Sequence, residues 1–155
     1  MEKQKLHPSD STPQRLAEAY ILSVLARRLR LDLSRKDEHV PRLEGLKPDA
    51  VDWKKRVLVE VYARLGALKG AQPHKVKGDI LKLLLLERKL GGRWRKMLCF
   101  ADQSAANVAL GKSWVAAAAK EFGVEVLVVA LSSGYKSRVT AAQIAQRMTN
   151  ARHDC

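Results

Sequence analysis

The pattern of hydrophobic and polar residues along the chain begins with helical spacing. After a polar leader over residues 1–11, apolar side chains recur on one helical face from Thr12 to about Leu29, which predicts a first helix. Residues 34–48 contain several Pro and Gly breakers and predict at most a short edge strand over 42–46. The first third of the chain is therefore expected to form one helix and an irregular connection.

Two runs of strand character follow, separated by a polar turn. Residues 49–53 and 56–63 are rich in apolar, β-branched and aromatic residues, and Lys54-Lys55 stands where a tight turn would join them. The pattern predicts a β-hairpin. Because antiparallel partners are equidistant from the turn, this hairpin would place Asp52 opposite Val57 and Asp49 opposite Glu60.

The second half alternates helical patterns with short apolar runs. The predicted elements are a helix from Gln72 to about Lys89, a strand over 94–101, a helix over 104–122, a strand over 124–131 at the centre of the sheet, and a last helix over 137–150. Strands that alternate with helices pair in parallel, whereas the hairpin is antiparallel. The predicted fold class is therefore α/β with a mixed sheet, as a single domain over 12–150 with a short tail over 151–155.

Charge narrows the class of partner. The chain has 155 residues, and its 29 Lys and Arg against 16 Asp and Glu give a net charge of +13. A positive field of this size favours a polyanion, above all DNA, although it would also serve solubility alone. No signal peptide or long apolar run is present, so we expect a cytoplasmic protein without a membrane partner. The sequence leaves a homo-oligomer open.

The predicted hairpin brings two acids together. Like charges directly opposite each other destabilise a sheet unless something compensates them, and a divalent cation such as Mg²⁺ would do so. Asp49 and Glu60 are therefore the predicted metal ligands. A slip of one residue would replace Asp49 by Asp52, because it turns every side chain to the other face. The alternative is that Asp49 is a turn residue and Glu60 a solvated residue of an edge strand.

Pro48-Asp49, ten intervening residues and Glu60-Val61-Tyr62 resemble the motif of the PD-(D/E)XK nuclease superfamily. The resemblance spans about Thr12 to Leu131. It implies a restriction-endonuclease-like α-β-β-β-α-β core, here with an added C-terminal helix, and metal-dependent cleavage of DNA with Mg²⁺ or Mn²⁺ on Asp49 and Glu60. In that family a lysine orients the attacking water, and Tyr62 occupies its position here.

The predicted helix after the hairpin offers a substitute for that lysine. Gln72, Lys75, Asp79 and Lys82 form one helical stripe beside the apolar residues Val76, Ile80, Leu83 and Leu84. The resemblance implies Lys75 as the migrated catalytic lysine and Gln72 as a contact to the scissile phosphate. An ordinary solvated face with a Lys75–Asp79 ion pair is the alternative. Glu18 on the first helix is expected to point away from the site.

Six further basic residues are predicted to line the path of the nucleic acid: Lys54, Lys55, Arg64, Lys69, Lys77 and Lys82. The function that follows is a divalent-metal-dependent endonuclease. Because Tyr62 replaces the lysine, a catalytically inactive nucleic-acid-binding or assembly module stays open as the second reading. A protein-interaction domain whose charge serves solubility is the third.

Overall fold

Four strands form a mixed sheet that helices cover on both faces. The computed structural model describes residues 12–36, 43 and 45–153. The elements are α1 (Thr12–Leu29), β1 (Ala50–Asp52), β2 (Val57–Tyr62), α2 (Gln72–Leu90), β3 (Arg95–Phe100), α3 (Gln103–Leu110), α4 (Trp114–Glu121), β4 (Val124–Val128) and α5 (Ser133–His153). The prediction of an α/β fold with a mixed sheet is confirmed. The predicted leader over 1–11 lies outside the described residues.

The strands follow one another across the sheet in the order β1-β2-β3-β4. β1 and β2 are antiparallel, and Asp52 pairs with Val57 as the hairpin register predicted. β3 is parallel to both β2 and β4. The parallel pairs are possible because helices connect them, α2 between β2 and β3, and α3 with α4 between β3 and β4.

Alternation along β2 divides the core into two layers. Leu58 and Tyr62 pack with residues of α2, α3 and α4, whereas Val57, Val59 and Val61 pack with residues of α1 and α5. Successive side chains of a strand point to opposite faces, so both layers are anchored on the same six residues. Glu60 shares the α2 face with Leu58 and Tyr62 and is the acid on a strand whose every residue is buried.

The predicted helix over 104–122 is wrong, because two helices stand there. α3 ends at Leu110 and α4 begins at Trp114. Ser113 separates them: its hydroxyl donates to the Val108 carbonyl (2.9 Å) and accepts from the Ala116 N–H (3.2 Å). A hydroxyl that competes for backbone groups in this way interrupts a helix and caps the next one.

The strand over 124–131 is also misplaced by the prediction. β4 lies at the edge of the sheet, not its centre, and most of its side chains are only half-buried. A continuous apolar run indicates that helices cover both faces of a strand. It does not indicate whether the strand has a hydrogen-bonded neighbour on each side, and an edge strand such as β4 has only one.

Two other predicted segments differ. Of the expected strand over 42–46, the described part shows only a bridge between Leu43 and Leu46 around Gly45. Among the described residues, two strands rather than three precede α2. α5 begins earlier than predicted and continues to His153, so the tail is helical as far as it is described.

No described helix combines the length and apolar composition needed to cross a bilayer.

Candidate acidic site between the hairpin and helix α2

Asp49 stands where β1 begins and is held against β2. Its N–H donates to the Val59 carbonyl (3.1 Å), and its Oδ2 accepts from the Val61 N–H (2.9 Å). Continuing the register in which Ala50 pairs with Val59 places Asp49 opposite Glu60. The Asp49 carboxylate thus accepts a backbone hydrogen bond of β2 that a carbonyl of a neighbouring strand would otherwise accept. It lies beside the buried acid Glu60.

Glu60 is almost completely enclosed, with 1% of its surface exposed. Lys82 Nζ lies 2.7 Å from Glu60 Oε1 and is the cation in contact with this buried carboxyl group. Burial, reinforced by the negative charge of Asp49 and opposed by Lys82, raises the pKa of Glu60 to about 9. An additional cation beside Glu60 would favour its ionised form.

Asp79 on α2 is the centre of a polar network beside Glu60. Its Oδ2 accepts from the Tyr62 hydroxyl (2.6 Å) and from Lys75 Nζ (2.9 Å), and Lys82 Nζ lies 3.2 Å from its Oδ1. Burial alone would raise the pKa of Asp79, but the hydrogen bonds from Tyr62 and Lys75 outweigh it, so the pKa is lowered. Asp79 is therefore an anion, and Lys82 bridges it to Glu60.

Lys82 keeps its charge in this setting. Burial opposes the ammonium, but the charges of Glu60 and Asp79 outweigh it and raise the pKa of Lys82. Lys82 is therefore a resident cation between two acids. Asp79 on the turn before it and Glu60 on the strand beneath hold the ammonium in place.

Tyr62, which occupies the lysine position of the motif, acts in this network as a donor. Its ring stacks on Phe100 with 4.4 Å between centroids, and Lys75 Nζ lies 4.7 Å from the centre of the Tyr62 ring. Burial and the neighbouring Asp79 raise the pKa of Tyr62, so the phenol stays neutral and keeps its proton. The residue orients Asp79 and supplies no cation.

α1 carries a third acid, Glu18, whose charge interacts with that of Asp49. Burial raises the pKa of Glu18, and the negative charge of Asp49 is the second cause, while Arg35 and Lys75 lower it. Glu18 Oε2 also pairs with Arg35 Nη2 at 3.1 Å. Within the described ranges, no three Asp, Glu, His or Cys side chains converge closely enough to hold a metal ion.

The structure separates the two candidates for the first acid. Asp52 faces away from Glu60: its carboxylate accepts from the N–H groups of Asp32 and Lys55, both at 2.8 Å. Burial would raise the pKa of Asp52, but these backbone hydrogen bonds outweigh it and lower the pKa. Asp52 therefore holds the hairpin turn, and Asp49 is the acid beside Glu60.

The lysine in contact with Glu60 is Lys82, whereas the sequence suggested Lys75. Lys75, with 61% of its side chain exposed, pairs with Asp79, and Lys82 is the lysine in contact with Glu60. The apolar stripe beside them packs as expected, because Val76, Ile80 and Leu83 are buried and Leu84 packs against the same core. Gln72 begins α2, where its Oε1 accepts from the Lys69 N–H (2.9 Å).

The other predicted basic contacts are dispersed. Lys54 and Lys55 lie in the hairpin turn, at the opposite end of β2 from Tyr62, and Lys55 Nζ donates to the Arg30 carbonyl. Lys77 Nζ lies 4.9 Å from the Trp114 ring, on another side of α2. Arg64 and Lys69 stand in the connection between β2 and α2. These basic residues therefore lie in the hairpin turn, in the connection before α2 and on α2.

The sequence did not predict the roles that Asp79 and Lys82 have in the acidic site. Asp79 was seen only as the partner of Lys75, and Lys82 only as a phosphate contact. Their spacing on the α2 stripe was the available signal, since residues three and four apart share a helical face. For Glu18 no local signal exists, because its position depends on how α1 packs across the sheet.

Comparison with known proteins returns no match among family models, curated proteins or solved structures. Its function must therefore be argued from its own residues. The acidic site is the strongest basis, since it combines a buried carboxylate, a second carboxylate beside it and a lysine held between two acids.

Proposed function

We propose that this protein is a divalent-metal-dependent nuclease that hydrolyses phosphodiester bonds of DNA, with Asp49 and Glu60 as its metal ligands. One observation carries the proposal. Glu60 is almost fully buried beside a second carboxylate, Asp49, with Lys82 as the cation in contact with it, although burying a carboxylate is costly. A divalent cation bound between Asp49 and Glu60 would offset the cost of burying Glu60 and the repulsion between the two carboxylates.

The donor set fits Mg²⁺ or Mn²⁺. These ions are held by one or two carboxylates and complete their shell with waters and phosphate oxygens, so two acids suffice. Asp49 is fixed by the Val61 N–H, and Glu60 by its strand. When bound, the metal would polarise the phosphate and lower the pKa of a water.

Lys82 takes the role first assigned to Lys75. Its ammonium is the basic group in contact with Glu60, and Asp79 holds it from the other side. From there it would hold a water or a phosphate oxygen beside the acids. Tyr62 and Lys75 act at one remove, because both bind the Asp79 carboxylate that positions Lys82. The net charge of +13 would draw the DNA toward the chain without regard to its sequence.

A second function is favoured by a separate observation. Lys82 already contacts both Glu60 and Asp79 without a metal, and Tyr62 stands where the motif has its lysine. Such an arrangement suits a protein that has kept the fold and its attraction for nucleic acid but has lost catalysis. The two functions share the ligand and differ in turnover.

Metal-dependent nicking separates them. Purified protein is incubated with supercoiled plasmid, linear duplex and single-stranded DNA, each with Mg²⁺, Mn²⁺ or EDTA. We expect nicking with metal and none with EDTA, and we expect Glu60→Gln to abolish it while DNA binding persists. Glu125→Gln is the matched control, because Glu125 is a half-exposed acid on β4 that pairs with Arg95.

Each outcome has one meaning. DNA binding without cleavage under every condition supports the inactive binding module. Cleavage that survives Glu60→Gln comes from another site or from a contaminant and overturns the proposed metal ligands. If the protein neither binds nor cleaves DNA, the third alternative is supported: a protein-interaction domain whose positive charge serves solubility.

A further inference from the structure

The solvent side of α2 and the facing side of α4 form an apolar groove. Large apolar side chains stand open to solvent there: Leu81 is 68% exposed, Trp114 67% and Phe122 53%. The groove has a volume of about 350 Å³, and Ile80, Leu84, Val115 and Ala118 complete its lining. It continues along α2 past Leu85 to Arg88. Soluble proteins seldom leave such a cluster of large apolar side chains open unless it binds something.

The apolar lining of the groove favours a helical ligand over an extended peptide. Both walls are helices whose backbone groups are bonded internally, and the side chains between them are apolar apart from Lys77. An extended peptide would bury its N–H and C=O groups there without partners, whereas a helix satisfies its own. The stretch from Lys77 to Arg88 measures about 16 Å at 1.5 Å per residue, which matches three turns of a docked helix.

Charge selects the partner. Lys77 lies at one end of the groove, and Arg88 at the other. Glu87 also lines it, but its carboxylate accepts from the Trp94 N–H and pairs with Lys96, both at 2.8 Å. The ends are therefore positive, and a net charge of +13 on each copy opposes self-association through this face.

We propose that the groove between α2 and α4 is a docking site for an acidic amphipathic helix of a partner protein. The apolar face of that helix covers Leu81, Trp114 and Phe122, and its acidic residues meet Lys77 and Arg88. This interaction is independent of the acidic site, which lies on another side of α2.

Binding of designed peptides to the full chain tests the proposal. The probe is a fluorescein-labelled 20-residue helical peptide with Leu on one face and Glu on the other. One comparison peptide has Lys in place of Glu, and a second has the same composition as the probe in an order without an apolar face. Fluorescence anisotropy should show saturable binding of the acidic amphipathic peptide alone.

The groove residues should control that binding. Leu81→Gln and Phe122→Gln, each at an exposed position, should weaken it about tenfold, which corresponds to about 1.4 kcal/mol and is the loss expected for an apolar anchor at an interface. Met148→Gln is the matched control, because Met148 is 64% exposed on α5. It should leave the affinity unchanged.

Three results would overturn the proposal. They are no binding of the acidic peptide, equal binding of the Lys peptide, and equal binding by the groove variants and Met148→Gln. Sedimentation of the protein alone adds a fourth: a dimer that dissociates in Leu81→Gln would assign the groove to a second copy. Circular dichroism of each variant confirms that its fold is retained.

Discussion

At the scale of single residues, Glu60, Lys82 and Asp79 show how a buried lysine–aspartate ion pair is held beside a buried carboxyl group. Glu60 would be strongly disfavoured as an anion on a fully buried strand, and Asp49 adds to the penalty. Lys82 reduces it, and Asp79 in turn keeps Lys82 charged. Because the ion pair exchanges the loss of hydration for mutual attraction, it indicates a specified geometry more than a gain in stability.

The residue that matters most for turnover after the acids should be Lys82. Lys82→Met should lower the nicking rate by about 100-fold or more, as expected for a group that positions a reacting water. DNA affinity should change little, since one charge among 29 basic residues is a small part of the field. Rates and dissociation constants measured side by side provide the test.

Lys75→Met is the matched control for this prediction. Lys75 shares Asp79 with Lys82 but is mostly exposed. Its loss should therefore reduce turnover by a much smaller factor. An equal loss in the two variants would mean that both lysines act only by holding Asp79, and a larger loss in Lys75→Met would return the catalytic role to Lys75.

At the scale of elements, the hairpin turn is fastened by one carboxylate. Asp52 ends β1, and its oxygens accept from the N–H of Lys55 within the turn and of Asp32 in the connection after α1. The carboxylate thus ties two backbone segments together while it lies buried on the sheet. The turn in this way sets the register that brings Asp49 to Glu60.

Asp52→Asn should lower the free energy of unfolding at pH 7 by about 1–3 kcal/mol, because an amide cannot accept both N–H groups with both of its ends. The pKa of Asp52 is lowered in the folded protein, so its contribution is present above the ordinary value of 3.8 and is lost as pH falls through the folded value. Urea denaturation from pH 7 to pH 3 should therefore show the two proteins converging in acid. Asp32→Asn, which retains the backbone donor, should match the original protein. A pH-independent difference would show that Asp52 acts through packing and not through its charge.

At the scale of the whole molecule, the net charge of +13 comes from 29 basic residues that are spread along the whole sequence. Lys54 and Lys55 lie in the hairpin turn, Lys69 lies in the connection before α2, and Lys77 lies on α2 beside Trp114. Under the proposed function, a field of this kind would attract DNA through its phosphates. Sequence preference is not expected from it, since phosphate contacts carry no base information.

DNA binding should accordingly depend steeply on salt. If six to ten phosphates are contacted, affinity should fall by about 10³–10⁵ between 50 and 200 mM salt. Titrations of duplexes of unrelated sequence at several NaCl concentrations measure the slope, and all the duplexes should give the same one. A flat dependence would mean that the charge serves solubility and that DNA is not the ligand.

The sequence by itself determined the features that depend on neighbours along the chain. The turn at Lys54-Lys55 sets the register of the hairpin, because antiparallel partners are equidistant from it, and so the pairing of Asp52 with Val57 and the position of Asp49 beside Glu60 followed. The start of α2 at Gln72 and the strand character of 95–100 are likewise local properties of periodicity.

Only the tertiary structure decided which side chains meet across elements. Asp79 has a lysine one turn away on either side, and the rotation of α2 over the sheet, set by the packing of Val76 and Leu83, brings Lys82 and not Lys75 to Glu60. The approach of Glu18 depends in the same way on α1. The edge position of β4 followed from the pairing of β3 between β2 and β4. Periodicity specifies which face of an element is apolar, but the relative placement of two elements is set by the packing of their faces together.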